Sequence, residues 1–195
     1  SASNACHQNH TDIMKNTVSL IQRSATIFAL SAFLYAGAFA QDAPKLSDPE
    51  IAHVAVTANQ IDVDYAAIAK EKSKNKDVVH FAETMANDHA GVIKQAVALV
   101  TRLKVTPQDN AVSQSLKAGA VKTGKMLRSL SGKAFDKAYI DNEVAYHKAV
   151  IDAVKTLLIP QAQNAELKGL LETVLPVLES HLAHAEMVQK EFASK

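Results

Sequence analysis

Cysteine is nearly absent from this sequence: Cys6 is the only one among 195 residues. It lies in the stretch 1–13, which has no apolar periodicity, precedes Met14, and is read as extraneous to the fold. The segment before Cys6 lacks the small apolar tripeptide of a lipoprotein signal, so no lipid anchor is expected. Without further thiols, disulfides, thiolate metal sites and cysteine nucleophiles are excluded together. His, Asp and Glu remain as the strong metal ligands. Glycine-rich phosphate loops and the Gly-x-Ser-x-Gly elbow are missing too, which removes two common catalytic schemes. Charge of one sign is also lacking. Beyond residue 40, about 19 Lys and Arg face about 19 Asp and Glu with no basic stripe, so nucleic acid is not an expected partner. Lys70, Lys72, Lys74 and Lys76 form a local cluster between two helical patterns, read as a solvated turn.

Long hydrophobic runs are confined to one place. After Met14, Lys15 and Arg23 give a basic opening, Ala25 to Phe39 is apolar, and Ala38-Phe39-Ala40 has the small-x-small form of a cleavage site. Residues 14–40 therefore read as a secretory signal peptide. The apolar stretch, roughly 15 residues, is shorter than the ~20 that span a bilayer, so no transmembrane segment is expected in the mature chain. The expected location is the periplasm, with association to the outer-membrane surface left open.

Residues 41–47 read as a linker and 48–193 as one helical domain. Ser47-Asp48-Pro49-Glu50 is a helix start, with a capping side chain, a first-turn proline and an acid at the positive end of the helix dipole. The first core stripe is Ile51, Val54, Ala58, Ile61, Tyr65 and Ile68. A second helix is expected from about Asp77 to Lys104, with Phe81, Met85, Val92, Ala96, Leu99 and Leu103 inward. From about Asn110 to Leu130 a weaker pattern of Val112, Leu116, Val121, Met126 and Leu127, broken by Gly119 and Gly124, predicts a loosely packed or bent helix. Further helices are expected from about Ala134 to Leu158 and from about Ala165 to Phe192, the last kinked at Pro176. Strand patterns are lacking throughout. The expected fold class is all-α: a ferritin-like four-helix bundle with a shorter connecting helix between the two hairpins.

Three histidines interrupt the apolar stripes. His147 falls in register with Ile140, Val144, Ile151, Val154 and Leu158. His181 continues Leu167, Leu171, Val174 and Leu178, and His89 follows Phe81 and Met85. A buried imidazole needs a partner or a ligand. With Asp62 on the first helix, His89, His147 and His181 would give one donor from each long helix. That set suits zinc or copper, or iron with a position left open. Glu143, one turn before His147, and Asp88 and His184 are candidates for orienting these rings or adding a ligand. The alternative is that the histidines are core residues satisfied by hydrogen bonds, with Asp62 and Asp88 as acceptors. Histidines at different heights in the bundle would end the metal reading.

Di-iron chemistry of the ferritin type needs two Glu-x-x-His pairs and two further glutamates. Glu50-Ile51-Ala52-His53 supplies the spacing once, in a first helical turn, so ferroxidase activity is not expected. His53 and His80 read as outward-facing or rim residues. Asp136 and Tyr139 read as capping and packing the first turn of the helix that carries His147.

Phe81-Ala82-Glu83-Thr84-Met85-Ala86-Asn87-Asp88-His89, Phe135-Asp136-Lys137-Ala138-Tyr139, His147 within Ala145-Tyr146-His147-Lys148, and Leu175-Pro176 leading to His181-Leu182 carry a resemblance. They resemble an uncharacterised bacterial family of exported, ferritin-like helical domains often labelled predicted outer membrane protein. The resemblance covers about Pro49 to Phe192. It implies the fold and little biochemistry, and that family usually has a glutamate where this chain has the shorter Asp62. No alternating strand pattern of a membrane barrel accompanies the label.

The function expected from the sequence is an exported bundle that binds a metal ion or small ligand between its helices, in metal handling or envelope stress, without assigned catalysis. The alternative is a non-enzymatic envelope interaction protein whose core histidines are structural or pH-responsive. A third reading, an oxidase- or peroxidase-like enzyme, requires at least a redox-active metal with an open coordination position.

Overall fold

The computed structural model describes residues 43–193, and the expected extension (1–13) and signal peptide (14–40) lie outside them. Helix α1 spans Asp48–Lys72, α2 Lys76–Arg102, α3 Ala111–Ser129 and α4 Gly132–Ala153. A π-helical stretch Val154–Leu158 and a single turn, α5 (Ile159–Gln161), follow before α6 (Ala165–Ala193). No strand occurs among the described residues. None of their helices is long and apolar enough to cross a membrane.

The helix boundaries follow from local chemistry. The Ser47 amide and hydroxyl both donate to the Glu50 carboxylate at 2.8 Å, closing the first turn of α1. Asp48 reaches across the bundle end, where its two oxygens accept from the amides of Gln163 and Asn164, both at 2.8 Å. The Asn75 side chain caps α2 by accepting from the Asp77 amide at 2.9 Å, and Asn110 caps α3 by accepting from Val112 at 3.0 Å. Gly132, at φ +56°, turns the chain into α4, a conformation that L side chains rarely adopt. The π-helical stretch precedes Pro160. That ring supplies no N–H and crowds the carbonyl of Thr156, so the preceding turn widens instead of continuing as α-helix.

Two apolar clusters fix the helix directions. One gathers Tyr65, Phe81, Phe135, Tyr139 and Val188. The other gathers Ile51, Leu99, Ile151, Leu158 and Leu171. By residue order, α1 and α6 run from the second cluster to the first, and α2 and α4 run the opposite way. Two antiparallel hairpins result, α1–α2 and α4–α6. Because α2 and α4 are parallel, the chain must travel the length of the bundle between them. The 19 residues of α3, about 28 Å as helix, make that return.

Three expectations need correcting. Helix α3 is the single helix expected, but Val121 and Met126 from its expected inward stripe are exposed at 58% and 41%. Its buried positions are Ser113, Gly124 and Leu127, with Leu116 and Ala120 partly covered. Gly124 faces α1, where an added Cβ would sit at ordinary contact distance, 4.0 Å, from Ile68 Cδ1. A search for large apolar residues finds Val112, Leu116 and Leu127 on the packed face but misses Ser113 and Gly124. Asp136 does not cap α4; it is buried and accepts from the Ser73 hydroxyl at 2.6 Å, pinning the end of α1 to α4. The expected fourth helix ends as α-helix at Ala153, and its last residues, Val154–Leu158, are π-helical. Pro176 lies inside α6, where its missing N–H leaves the Glu172 carbonyl without its helical donor.

Candidate metal centre

Between the two apolar clusters lies a polar layer. Asp62 on α1, His89 on α2, Glu143 and His147 on α4 and His181 on α6 are each 5% exposed or less. The imidazole centroids are 5.1 Å apart for His89 and His181, and 5.6 Å for each pair involving His147. The three rings therefore share one height. One ring nitrogen from each lies within 4.8 Å of the others, and a second such group is formed by Asp62, Glu143 and His147.

Each ring is held by its outer nitrogen. Nδ1 of His89 is 2.8 Å from Asn59 Oδ1, whose own amide donates to the Ala55 carbonyl at 2.8 Å. That orientation of Asn59 makes Nδ1 the protonated nitrogen of His89, an assignment read from the hydrogen-bond network. Nδ1 of His147 donates to the Glu143 main-chain carbonyl at 3.0 Å. Nε2 of His181 is 2.9 Å from Asp88 Oδ2, a carboxylate that is half exposed. The remaining nitrogens, His89 Nε2, His147 Nε2 and His181 Nδ1, are buried and have no hydrogen-bond partner. A ligating histidine typically has this arrangement, with one nitrogen donating to a fixed acceptor and the other left as a lone pair.

The Asp62 carboxyl faces two of those lone pairs. Asp62 Oδ2 is 3.3 Å from His89 Nε2 and 3.5 Å from His147 Nε2. With both rings protonated at Nδ1, each of these contacts sets lone pair against lone pair and is repulsive unless a proton or a cation lies between. Both oxygens of Asp62 and both of Glu143 are buried without a hydrogen-bond partner. Burial raises the Asp62 pKa to about 7, partly opposed by the neighbouring Glu143 carboxyl. Glu143 is raised well above the usual carboxylate range, by burial first and then by the charge of Asp62. The rings move the other way: burial, reinforced by the other two imidazoles, lowers His89 to about 3. Burial and His181 lower His147 to about 4 against its hydrogen bond to the Glu143 carbonyl. His89 and His147 are thus neutral and available as metal ligands at neutral pH.

Seven unpartnered polar atoms fall in this one layer. Each such atom costs about 1–3 kcal/mol if nothing satisfies it, and a folded domain carries only a few. A divalent cation would take up the three nitrogens and the Asp62 carboxylate together, so the donor set fits a metal of the zinc, copper or iron kind.

The other expected residues are placed as follows. Asp88 orients His181. Glu143 orients His147 through its main chain, with Oε2 3.5 Å from Nδ1. His184 stands outside the layer with its ring 5.1 Å from Phe81 and 6.2 Å from His80. It lines a groove of about 350 Å³ with Asp88, Ser180 and His181. His80 is exposed, and His53 lies 3.3 Å from Asp109 at the surface. Sequence reading gave no role to Asn59 or Tyr146, and read Tyr139 as packing, which it does against Phe81 and Phe135. Tyr139 is fully buried with its hydroxyl unpartnered, and the Tyr146 hydroxyl donates to the Ala58 carbonyl at 2.9 Å. Asn59 stands three residues before Asp62 on the same helix face, a spacing that marks it as a partner for the same layer.

Fold and site together define an all-helical bundle with a buried histidine and carboxylate layer. A profile of the family described as a domain of unknown function (DUF4142) matches residues 35–188, and the chain belongs to that family. No curated protein and no solved structure matches it significantly.

Proposed function

We propose that this protein binds one divalent transition-metal ion, zinc, copper or iron, through His89, His147, His181 and Asp62, with Glu143 beside it as added negative charge. One observation carries the reading: three imidazoles on three helices each have one nitrogen held by an acceptor and the other buried and unpartnered, and a buried Asp62 oxygen faces two of these free nitrogens, at 3.3 and 3.5 Å. The two hairpins joined by a bundle-length connector support a ferritin-like fold. The signal-peptide reading of residues 14–40 supports export, and a role in periplasmic metal handling or envelope stress follows from location and ligand type. No catalysis is assigned.

The test is elemental analysis of protein purified without chelator or added histidines, beside a His147→Ala variant. Near-stoichiometric metal in the first and its loss in the second supports the site. Metal-free protein that takes up none when offered zinc, copper and iron overturns it.

The second reading is an envelope interaction protein with pH-responsive core histidines, favoured by the lowered pKa values of His89 and His147. It predicts no rise in melting temperature and no proton release when metal is added.

A further inference from the structure

The four metal donors are each 5% exposed or less, so an ion that reaches them must pass a neighbouring side chain. Two spaces touch them. One is a cavity of about 10 Å³ beside Asp62, His89 and His147, which admits about one water. The other is the groove of about 350 Å³ lined by α2 and α6, and His181 is the donor in its lining. A divalent ion travels with about six waters, roughly 180 Å³ at ~30 Å³ each, so in hydrated form it fits the groove and not the cavity.

The groove is built on one-turn spacings. Thr84 and Asp88 are four residues apart on α2, and His181 and His184 are three apart on α6, so each pair shares a helix face. Among the described residues, the lining holds a carboxylate and two imidazoles and no lysine or arginine. That chemistry attracts a divalent cation and offers it ligands. Asp88 stands on the inward path. Its Oδ2 is 2.9 Å from His181 Nε2, while Nδ1 of the same ring is buried and unpartnered. One imidazole, held on the groove side by a single hydrogen bond to a half-exposed carboxylate, therefore divides the groove from the donor layer.

We propose that this groove is the entry route to the metal centre: Asp88 and His184 take up a hydrated divalent ion, and His181 admits it when Asp88 turns from the ring to the ion. This inference rests on the metal reading above and adds how the ion arrives. Kinetics distinguish a route from a ligand. Obstructing a route slows entry and exit by the same factor and leaves Kd, the ratio of the two rates, unchanged, whereas losing a ligand changes Kd.

The experiment mixes metal-free protein with the ion that elemental analysis finds bound, zinc, copper or iron, added alone. Stopped-flow uptake, release into excess chelator and final metal content are all read. Ser180→Trp fills the groove from an exposed position on α6 without replacing a donor. It should slow uptake and release by about tenfold or more each, with Kd held within about twofold. Val177→Trp is the second filling variant should Ser180→Trp not fold. His184→Ala removes a capture group and no donor, and should slow both rates by about threefold or more. Val150→Ile narrows the 10 Å³ cavity instead and should leave both rates within about twofold. Wild-type rates in a filled, metal-loaded variant overturn this inference and leave the metal reading standing. Slower uptake without equally slower release also overturns it, because that is lost affinity. Unchanged rates in His184→Ala overturn its part in capture, and slowing by Val150→Ile alone places entry at the cavity and overturns the groove. Protein that binds none of the three metals overturns the metal reading, and this inference with it.

Discussion

Nε2 of His181 lies 2.9 Å from Oδ2 of Asp88, so a half-exposed carboxylate on α2 decides which nitrogen of a buried ring on α6 faces the bundle interior. With Nε2 donating to Asp88, Nδ1 is the free lone pair. Truncating such an orienting acceptor typically costs 10- to 100-fold in metal affinity. Asp88→Ala is expected to weaken binding by about that factor while leaving the helix content unchanged, as read by competition titration with a chromophoric chelator and circular dichroism.

Asp62 has a cost in the metal-free protein that an ion would offset. Its carboxyl is 1% exposed and has no hydrogen-bond partner. An amide of the same shape avoids the desolvation of a charge, so Asp62→Asn should stabilise metal-free protein at pH 8 by on the order of 1–3 kcal/mol. The same variant should lose bound metal. Thermal melts in chelator, alongside elemental analysis, read both effects; a lower melting temperature in chelator argues against a buried charge at this position.

The pH dependence of metal-free protein combines two opposite signs. The unfolded chain protonates its histidines near pH 6.5, whereas folded His89 and His147 resist until about 3 and about 4. Their contribution is complete above pH 6.5 and is lost as pH falls toward those values. Asp62, raised to about 7, and Glu143, raised well above the usual carboxylate range, hold protons that the unfolded chain releases near pH 4. Their contribution is complete below pH 4 and is lost as pH rises through 7. The two slopes oppose each other between about pH 4 and 6.5, so melting temperature should be nearly flat there and fall on both sides. Bound metal should remove the alkaline fall, because the ion compensates the ionised carboxylates. Melts from pH 3 to 9, with chelator and with metal, test both statements.

Ser73 and Asp136 join the end of α1 to α4 by a buried 2.6 Å hydrogen bond. Ser73→Ala leaves the Asp136 carboxylate without that donor and should cost about 1–3 kcal/mol in urea unfolding. Metal content should not change, since both residues lie away from the donor layer.

Gly119 sits in the middle of α3, and a Cβ added there would meet nothing within 4 Å. Gly119→Ala should stabilise the protein by about 0.5–1 kcal/mol through helix propensity and reduced unfolded-state entropy. Denaturant midpoints of the two proteins at equal m-value measure it.

The helical periods, caps and breaks were readable because they are local. Ile51, Val54, Ala58, Ile61, Tyr65 and Ile68, the stripe expected on α1, are all buried. The stripe of α3 was misread in part: Val121 and Met126 are exposed, while Ser113 and Gly124 are buried beside the expected Leu127, because only packing against other helices decides which positions are covered. Asp136 was misread for a similar reason: its partner, Ser73, is 63 residues away.

The sequence by itself determined that the chain is helical, where most helices begin and end, and that His89, His147 and His181 interrupt apolar stripes. These properties follow from periodicity and from side chains acting within a few residues. Tertiary structure decided that the three rings share one height with Asp62, which nitrogen of each is free, and that a small cavity borders three of the donors. Height, ring orientation and cavity depend on the axial offset of four helices, set by packing of the two clusters on either side. Those contacts join residues far apart in the chain, and no local spacing encodes them.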